Sequence, residues 1–199
     1  MSGAFPISNA KFESLGIKSI QNTILSKSQS GKKLARQIDG QRFGFTARII
    51  TAKRSDVYGE LMAFIIKQRS GKENFTIIPP EVEDARGTAS GIPHGTASAG
   101  ATSITLGGTG TGTLKAGDFI KFANHDKIYM VVADQSDIST GSLTIEPPLT
   151  TAVSSSNITY DNVPFTVHLT NDMQEFGVVG ADKDGNALYQ YEFDVEEAL

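Results

Sequence analysis

The segment LYQYEFDV (188–195) alternates large apolar and polar residues without interruption. One side of an extended chain would carry Tyr189, Tyr191, Phe193 and Val195, and the other side Gln190, Glu192 and Asp194. This period of two predicts a β-strand with one buried and one exposed face. Because a strand needs hydrogen-bonded neighbours, the chain must contain a sheet with one covered face.

Two further segments show the same alternation. VPFTVHL (163–169) places Val163, Phe165, Val167 and Leu169 on one face. The strand predicted over 43–51 does the same with Phe43, Phe45, Ala47 and Ile49. Pro164 predicts an edge position or the start of a strand, because proline cannot donate to a sheet ladder.

The first 86 residues predict the order β-β-β-α-β, with strands near 17–25, 33–38, 43–51 and 74–78. The helix is SDVYGELMAFIIKQRSG (55–71), with Ser55 or Asp56 as the N-cap and Gly71 as the end. Its apolar stripe has helical spacing and consists of Val57, Leu61, Phe64 and Ile65. The helix is therefore expected to pack on a sheet.

The composition changes after Arg86, where residues 87–117 are rich in Gly, Ser and Thr. This stretch indicates a boundary or a set of tight turns. Strands are predicted at 118–123, 127–133 and 142–146, as a small antiparallel meander or barrel. Pro147-Pro148 and the run 154–157 are expected to close this segment.

The terminal parts do not close a barrel separately, because the last 39 residues offer only two or three strands. We predict a mainly β fold, with one discontinuous β-barrel or sandwich domain from 1–86 and 161–199 that carries the packed helix. Residues 87–160 are predicted to form an inserted small β-barrel or meander domain, since the ends of small domains often lie close together.

Charge is distributed unevenly. Residues 1–86 carry fourteen Lys and Arg against eight Asp and Glu, whereas residues 161–199 carry one Lys against nine acids. Opposite charges predict attraction between these parts, within one subunit or between neighbours. The alternative is a solvated surface without a role.

The sequence gives no positive support for catalysis. Cysteine is absent, which excludes disulfides and thiolate chemistry. The phosphate-binding glycine patterns are incomplete, the three histidines lack ligand spacing, and no segment approaches the length of about 20 apolar residues that a membrane span needs. Residues 182–186 predict a hairpin turn rather than a calcium loop. We therefore predict no enzyme, cofactor, metal site or membrane association.

The basic stretch SKSQSGKKLAR (26–36) predicts the exposed tip or arm of a hairpin, without an apolar face of its own. A subunit contact, a solvated turn and nucleic-acid binding are the three interpretations, and the third lacks interleaved aromatic residues for base stacking. The predicted interface joins Lys27, Lys32, Lys33 and Arg36 to Glu192, Asp194, Glu196 and Glu197 of an adjacent copy.

Six segments carry a resemblance to a known family: the basic hairpin, QRFGFTARI (41–49), VYGELMAFIIKQRSGKENFTI (57–77), GTLKAGDFIKFANHDKIYMVVAD (112–134), VPFTVHLTNDMQEF (163–176) and the last strand (188–195). Together they resemble the distal tail proteins of tailed bacteriophages and their relatives in contractile baseplates. The resemblance implies a tail-tube-like β-barrel with a packed helix, an additional β-domain and no individually transferable functional residue.

The resemblance further implies a virion protein, assembled in the host cytoplasm, that forms a homo-oligomeric ring of sixfold symmetry, that is, a hexamer. The tail tube would lie above the ring, and tail-tip, hub or fibre-bearing proteins below it. The alternatives are a tail-tube, terminator or connector subunit, a carbohydrate-binding module that uses Phe119, Phe122 and Tyr129, and a phage-associated hydrolase.

Overall fold

The computed structural model describes residues 3–7, 11–38 and 40–199. This part of the chain is mainly β, as predicted. Its strands are β1 (Phe12–Ile20), β2 (Thr23–Lys27), β3 (Lys33–Gln37), β4 (Arg42–Lys53), β5 (Phe75–Ile77), β6 (Pro93–Ala97), β7 (Ser103–Gly108), β8 (Phe119–Phe122), β9 (Ile128–Val131), β10 (Ser142–Glu146), β11 (Val153–Thr159), β12 (Phe165–Leu169), β13 (Gly177–Ala181) and β14 (Ala187–Glu197).

The terminal parts of the chain form one antiparallel sheet in the order β1-β4-β14-β12-β5, and β13 also pairs with β14. The predicted alternation is confirmed in all three segments. The buried members are Phe43, Phe45, Ala47, Ile49, Val163, Phe165, Val167, Leu169, Tyr191, Phe193 and Val195. Pro164 directly precedes β12, so proline removes no bond from within that strand.

A helix, α1 (Gly59–Lys67), covers this sheet and follows a π-helical turn at Arg54–Tyr58. Val57, Leu61 and Ile65 are buried, as the apolar stripe predicts. The predicted ends are wrong. Neither Ser55 nor Asp56 caps the helix. The helix ends at Lys67 rather than near Gly71, because the backbone of Arg69 lies in the left-handed region.

The single strand predicted near 17–25 is also wrong, because this stretch contains two strands. β1 pairs with β4 inside the large sheet, whereas β2 leaves the sheet and pairs only with β3. Residues 21–22, which belong to neither strand, separate β1 from β2. The β2–β3 hairpin thus stands apart as a two-stranded ribbon.

Six strands close into a barrel in the order β10-β7-β6-β11-β8-β9. The strands predicted at 118–123, 127–133 and 142–146 are confirmed as β8, β9 and β10. Strands β6, β7 and β11 fall in Gly-, Ser- and Thr-rich stretches that the sequence indicated as turns. Small residues are used here because the closed barrel leaves little space: a Cβ atom on Gly95 would lie 2.7 Å from Ile104 and 2.8 Å from Phe122.

Replacing Gly95 with alanine should therefore destabilise the protein by about 1–3 kcal/mol, since an added methyl group must displace packed core side chains. Thermal unfolding followed by circular dichroism measures the effect. Gly180→Ala in β13 is the matched control, because a Cβ atom there meets nothing within 4 Å. Equal melting temperatures for the two variants would contradict the close packing around Gly95.

The chain enters and leaves the barrel at one place. The Ala85 amide donates to the Asp161 carboxylate at 2.8 Å, and the Asn162 amide donates to the Glu83 carbonyl at 2.7 Å. Adjacent ends are what an insertion into a surface loop requires. The division into a host domain (1–86 and 161–199) and an inserted domain (87–160) stays a prediction.

Candidate assembly surfaces

The arm is the β2–β3 hairpin together with its turn and Ile38, that is, residues 23–38. Every side chain described in it is exposed or half-buried, although the two strands pair over their full length. A two-stranded hairpin is at best marginally stable in water. The arm therefore has the structure of an element that gains stability from a partner.

The four predicted cations all lie on the arm. Lys27 and Lys33 form a cross-strand pair near the turn, and Lys32 lies in the turn. Arg36 forms a cross-strand pair with Ile24, and this pair lies on the face of the hairpin that Lys27 and Lys33 do not share. Among the described residues, none of these four side chains forms an ion pair. Whether they meet another copy stays a prediction.

The expectation that the arm lacks an apolar face is wrong. Ile24 is 55% exposed, Leu34 54% and Ile38 46%. Strand alternation and the pairing register place these three side chains on one face, and Leu25 on the other. The sequence pattern hid this face because its members come from two different strands.

The four predicted acidic residues occupy different environments. Glu192 is exposed. Asp194 bonds to Lys18 at 2.9 Å, and Glu196 bonds to Arg42 at 2.9 Å, within the same chain. The attraction between basic and acidic parts is therefore at least partly satisfied inside one subunit.

Glu197 lies fully buried where the sheet meets the barrel. Its carboxylate accepts from the Lys127 ammonium at 2.5 Å, the Ile128 amide at 2.6 Å and the Phe43 amide at 3.1 Å. Since these partners belong to its own chain, we leave Glu197 out of the intersubunit contact. The side chain instead joins β14 and β4 of the sheet to β9 of the barrel.

Lys127 completes this junction. Its side chain is 2% exposed, its ammonium also donates to the Gln41 amide oxygen at 3.2 Å, and it lies 5.0 Å from the Phe43 ring centre. Burial lowers the pKa of Lys127, and the Glu197 carboxylate opposes that shift. A buried charge of this kind is tolerable only because it is paired and hydrogen-bonded.

Aromatic packing surrounds the buried ion pair. Phe119 of the barrel contacts Phe43 and Phe165 of the sheet, with ring centres 5.3 and 5.7 Å apart. Phe119, Phe122 and Tyr129, the rings proposed for sugar stacking, are each at most 9% exposed. These three rings are part of the hydrophobic core, so they offer no exposed surface on which a sugar could stack.

Two clefts flank the junction. One, of about 380 Å³, lies at the base of the arm between Gly40, Gln41 and the barrel loops at 99–100 and 147–150. The other, of about 450 Å³, is lined by Asn74, His125, Asp126, Lys127, Thr150, Thr151, Thr166, Ala198 and Leu199. We call the second one the far cleft.

Residues 182–186 form the predicted hairpin turn between β13 and β14. The Asp182 carboxylate accepts from the amides of Asp184 and Asn186 and forms an ion pair with Lys53. Hydrogen bonds from Asn186 and Lys53 hold the pKa of Asp182 well below its usual range. These local bonds account for the carboxylate without a metal ion.

Two features of the structure bear on other functions. Within residues 3–7, 11–38 and 40–199, no group of three or more His, Asp and Glu side chains is placed to hold a metal ion. In the same part of the chain, no helix has the length and apolar character needed to cross a membrane.

Comparison with known proteins finds a match to the barrel. Residues 84–163 match the family model of the distal tail protein pb9, B domain. The matched segment contains all six strands of the closed barrel together with its entry and exit. No curated protein matches the chain. The match supports the distal tail protein family of tailed phages, and with it a structural role in the virion tail among other tail proteins.

Proposed function

We propose that this chain, which carries a distal tail protein B domain, forms a ring at the distal end of a phage tail and joins the tail tube to the tail tip or baseplate. The observation that carries the proposal is the family match over the barrel. The proposal includes a hexameric ring, a tail tube above it, hub or fibre-bearing proteins below it, and assembly in the host cytoplasm. Its work is geometric rather than catalytic.

Ring formation is favoured by surfaces that one subunit leaves uncovered. The arm has no packed face, and β1 lies at an edge of the sheet with one side unpaired by any described strand. Unpaired edges and isolated hairpins gain hydrogen bonds and burial when another chain meets them. In a closed ring, every copy has these surfaces covered by the same contacts.

The basic residues of the arm are expected to steer and hold this contact. Glu192 is the most accessible of the predicted acceptors, because Asp194 and Glu196 already have partners in their own chain. Replacing Lys32, Lys33 and Arg36 with glutamate should weaken self-association and leave the monomer folded. Exposed pairs contribute only about 0–1 kcal/mol each, so the effect arises from several pairs around the ring.

Sedimentation at low and high salt measures this effect, because high salt should partly reproduce the charge reversal. The matched control reverses Lys67, Arg69 and Lys72, three exposed cations near the end of α1. Assembly of the arm variant with unchanged salt dependence would show that the arm cations are merely solvated.

Electron microscopy of the purified chain tests the proposed function itself. We expect closed rings of uniform subunit number, and we expect these rings to cap the end of tubes formed by the tail tube protein. Stacking of the rings into long tubes without any tube protein would favour the alternative of a tail-tube subunit.

A further inference from the structure

The arm and the far cleft lie at the two ends of one row of paired residues across the sheet. The arm leaves the sheet after Ile20 and returns at Arg42, and these two residues are directly paired. The pairing of Gly44 with Glu196 places Arg42 beside Ala198. The Ala198 amide donates to the Thr166 carbonyl at 2.9 Å.

The row therefore runs from Ile20 through Arg42 and Ala198 to Thr166, and Thr166 pairs with Thr76 of β5. Adjacent strands are about 4.8 Å apart, so the root of the arm and Thr166 are separated by roughly 14 Å within one subunit. Both features lie at the same level, at the end of the sheet that faces the barrel.

The far cleft has room for the apolar side chains of a hairpin. Its volume is about 450 Å³, and the exposed Leu199 side chain lies at its wall. The Oγ1 atom of Thr166 is buried and has no hydrogen-bond partner among the described residues. An occupant that widens the cleft slightly could satisfy this hydroxyl, which otherwise costs folding free energy.

Charge also fits. Asp126 lines the far cleft with a half-exposed carboxylate that bonds to Lys121 at its own surface. On the arm, Arg36 lies on the same face as Ile24, Leu34 and Ile38. A hairpin that enters the cleft with this face would bring its guanidinium group toward the carboxylate.

We infer that the far cleft of one subunit receives the apolar face of the arm of the next subunit. The inference rests on the proposed ring and names the contact that closes it. Donor and acceptor surfaces differ, so the contact is head-to-tail, and such contacts generate rings when the rotation closes.

Cysteine cross-linking tests this pairing, since the natural chain contains no cysteine. Leu34→Cys marks the arm and Thr151→Cys marks the exposed rim of the far cleft. With a short bifunctional thiol reagent, neither single variant should cross-link, whereas an equal mixture should give dimers. The double variant should give a ladder that ends at the ring size.

The matched control combines Leu34→Cys with Val132→Cys, which is 43% exposed and directly follows β9, at the other end of that strand from Lys127. Rings that form normally but cross-link only through the control pair would place the arm elsewhere and leave the proposed function standing. A chain that remains monomeric at its solubility limit would overturn both the contact and the ring. Cross-linked dimers from either single variant would overturn the head-to-tail arrangement.

Discussion

Replacing Glu197 with alanine is expected to lower the free energy of unfolding by about 3–5 kcal/mol, because it leaves the buried Lys127 ammonium without its counter-ion. The Ile128 and Phe43 amides would also lose their acceptor. For a chain of this length, each kcal/mol corresponds to roughly 2–4 °C, so the melting temperature should fall by about 6–20 °C. Calorimetry measures both quantities.

The neighbouring residue provides the control. Glu196 pairs with Arg42 at a partly exposed position, so Glu196→Ala should cost only about 0–1 kcal/mol. The double variant Lys127→Met with Glu197→Gln should recover part of the loss, because no unpaired charge remains buried. Equal effects of Glu196→Ala and Glu197→Ala would show that the junction does not join the barrel to the sheet.

Replacing Ile24, Leu34 and Ile38 with serine should weaken self-association by about 2–4 kcal/mol per contact, or roughly thirty- to a thousandfold. Each side chain is about half-exposed in the single subunit and would become buried in the ring. The melting temperature at low protein concentration should stay unchanged, since these side chains contact little of their own subunit. Analytical ultracentrifugation over a range of concentrations measures the association.

Serine at Ile66, Met173 and Val132 is the corresponding control. These residues are 73%, 80% and 43% exposed and lie outside the arm. Their replacement removes similar apolar surface without touching the arm. An equal loss of association in both triple variants would mean that general apolar surface, rather than the arm, drives assembly.

The sheet and its buried face could be predicted because alternation records burial directly. In the three alternating segments, every apolar residue that was predicted to face the core is buried, apart from Tyr189, which is half-buried. The apolar stripe of the helix could be predicted equally well, whereas the ends of the helix could not. Capping depends on backbone geometry at Lys53 and Arg69, which the residue types at 55–56 and 71 do not reveal.

Glu197 shows a signal that was present but misread. It continues the odd-numbered series Tyr191, Phe193 and Val195, so the alternation already places it on the buried face. A carboxylate there requires a buried cation, and Lys127 directly precedes the apolar strand β9. What the sequence could not reveal is that two residues 70 positions apart meet at one junction.

Strands β6, β7 and β11 could not be predicted, because small residues have low strand propensity and resemble turns. Only closure of the barrel makes them favourable, since Gly95 admits Ile104 and Phe122 into the same space. The apolar face of the arm was hidden for a related reason. Ile24 comes from β2 and Leu34 from β3, and the pairing register alone unites them.

Labelling of intact virions with an antibody against this chain, followed by electron microscopy, tests the central claim most directly. The account predicts label at one position, the far end of the tail, at the level where the tube meets the tip or baseplate. Label along the whole tail, label at the junction of tail and head, or particles that lack this chain would contradict it.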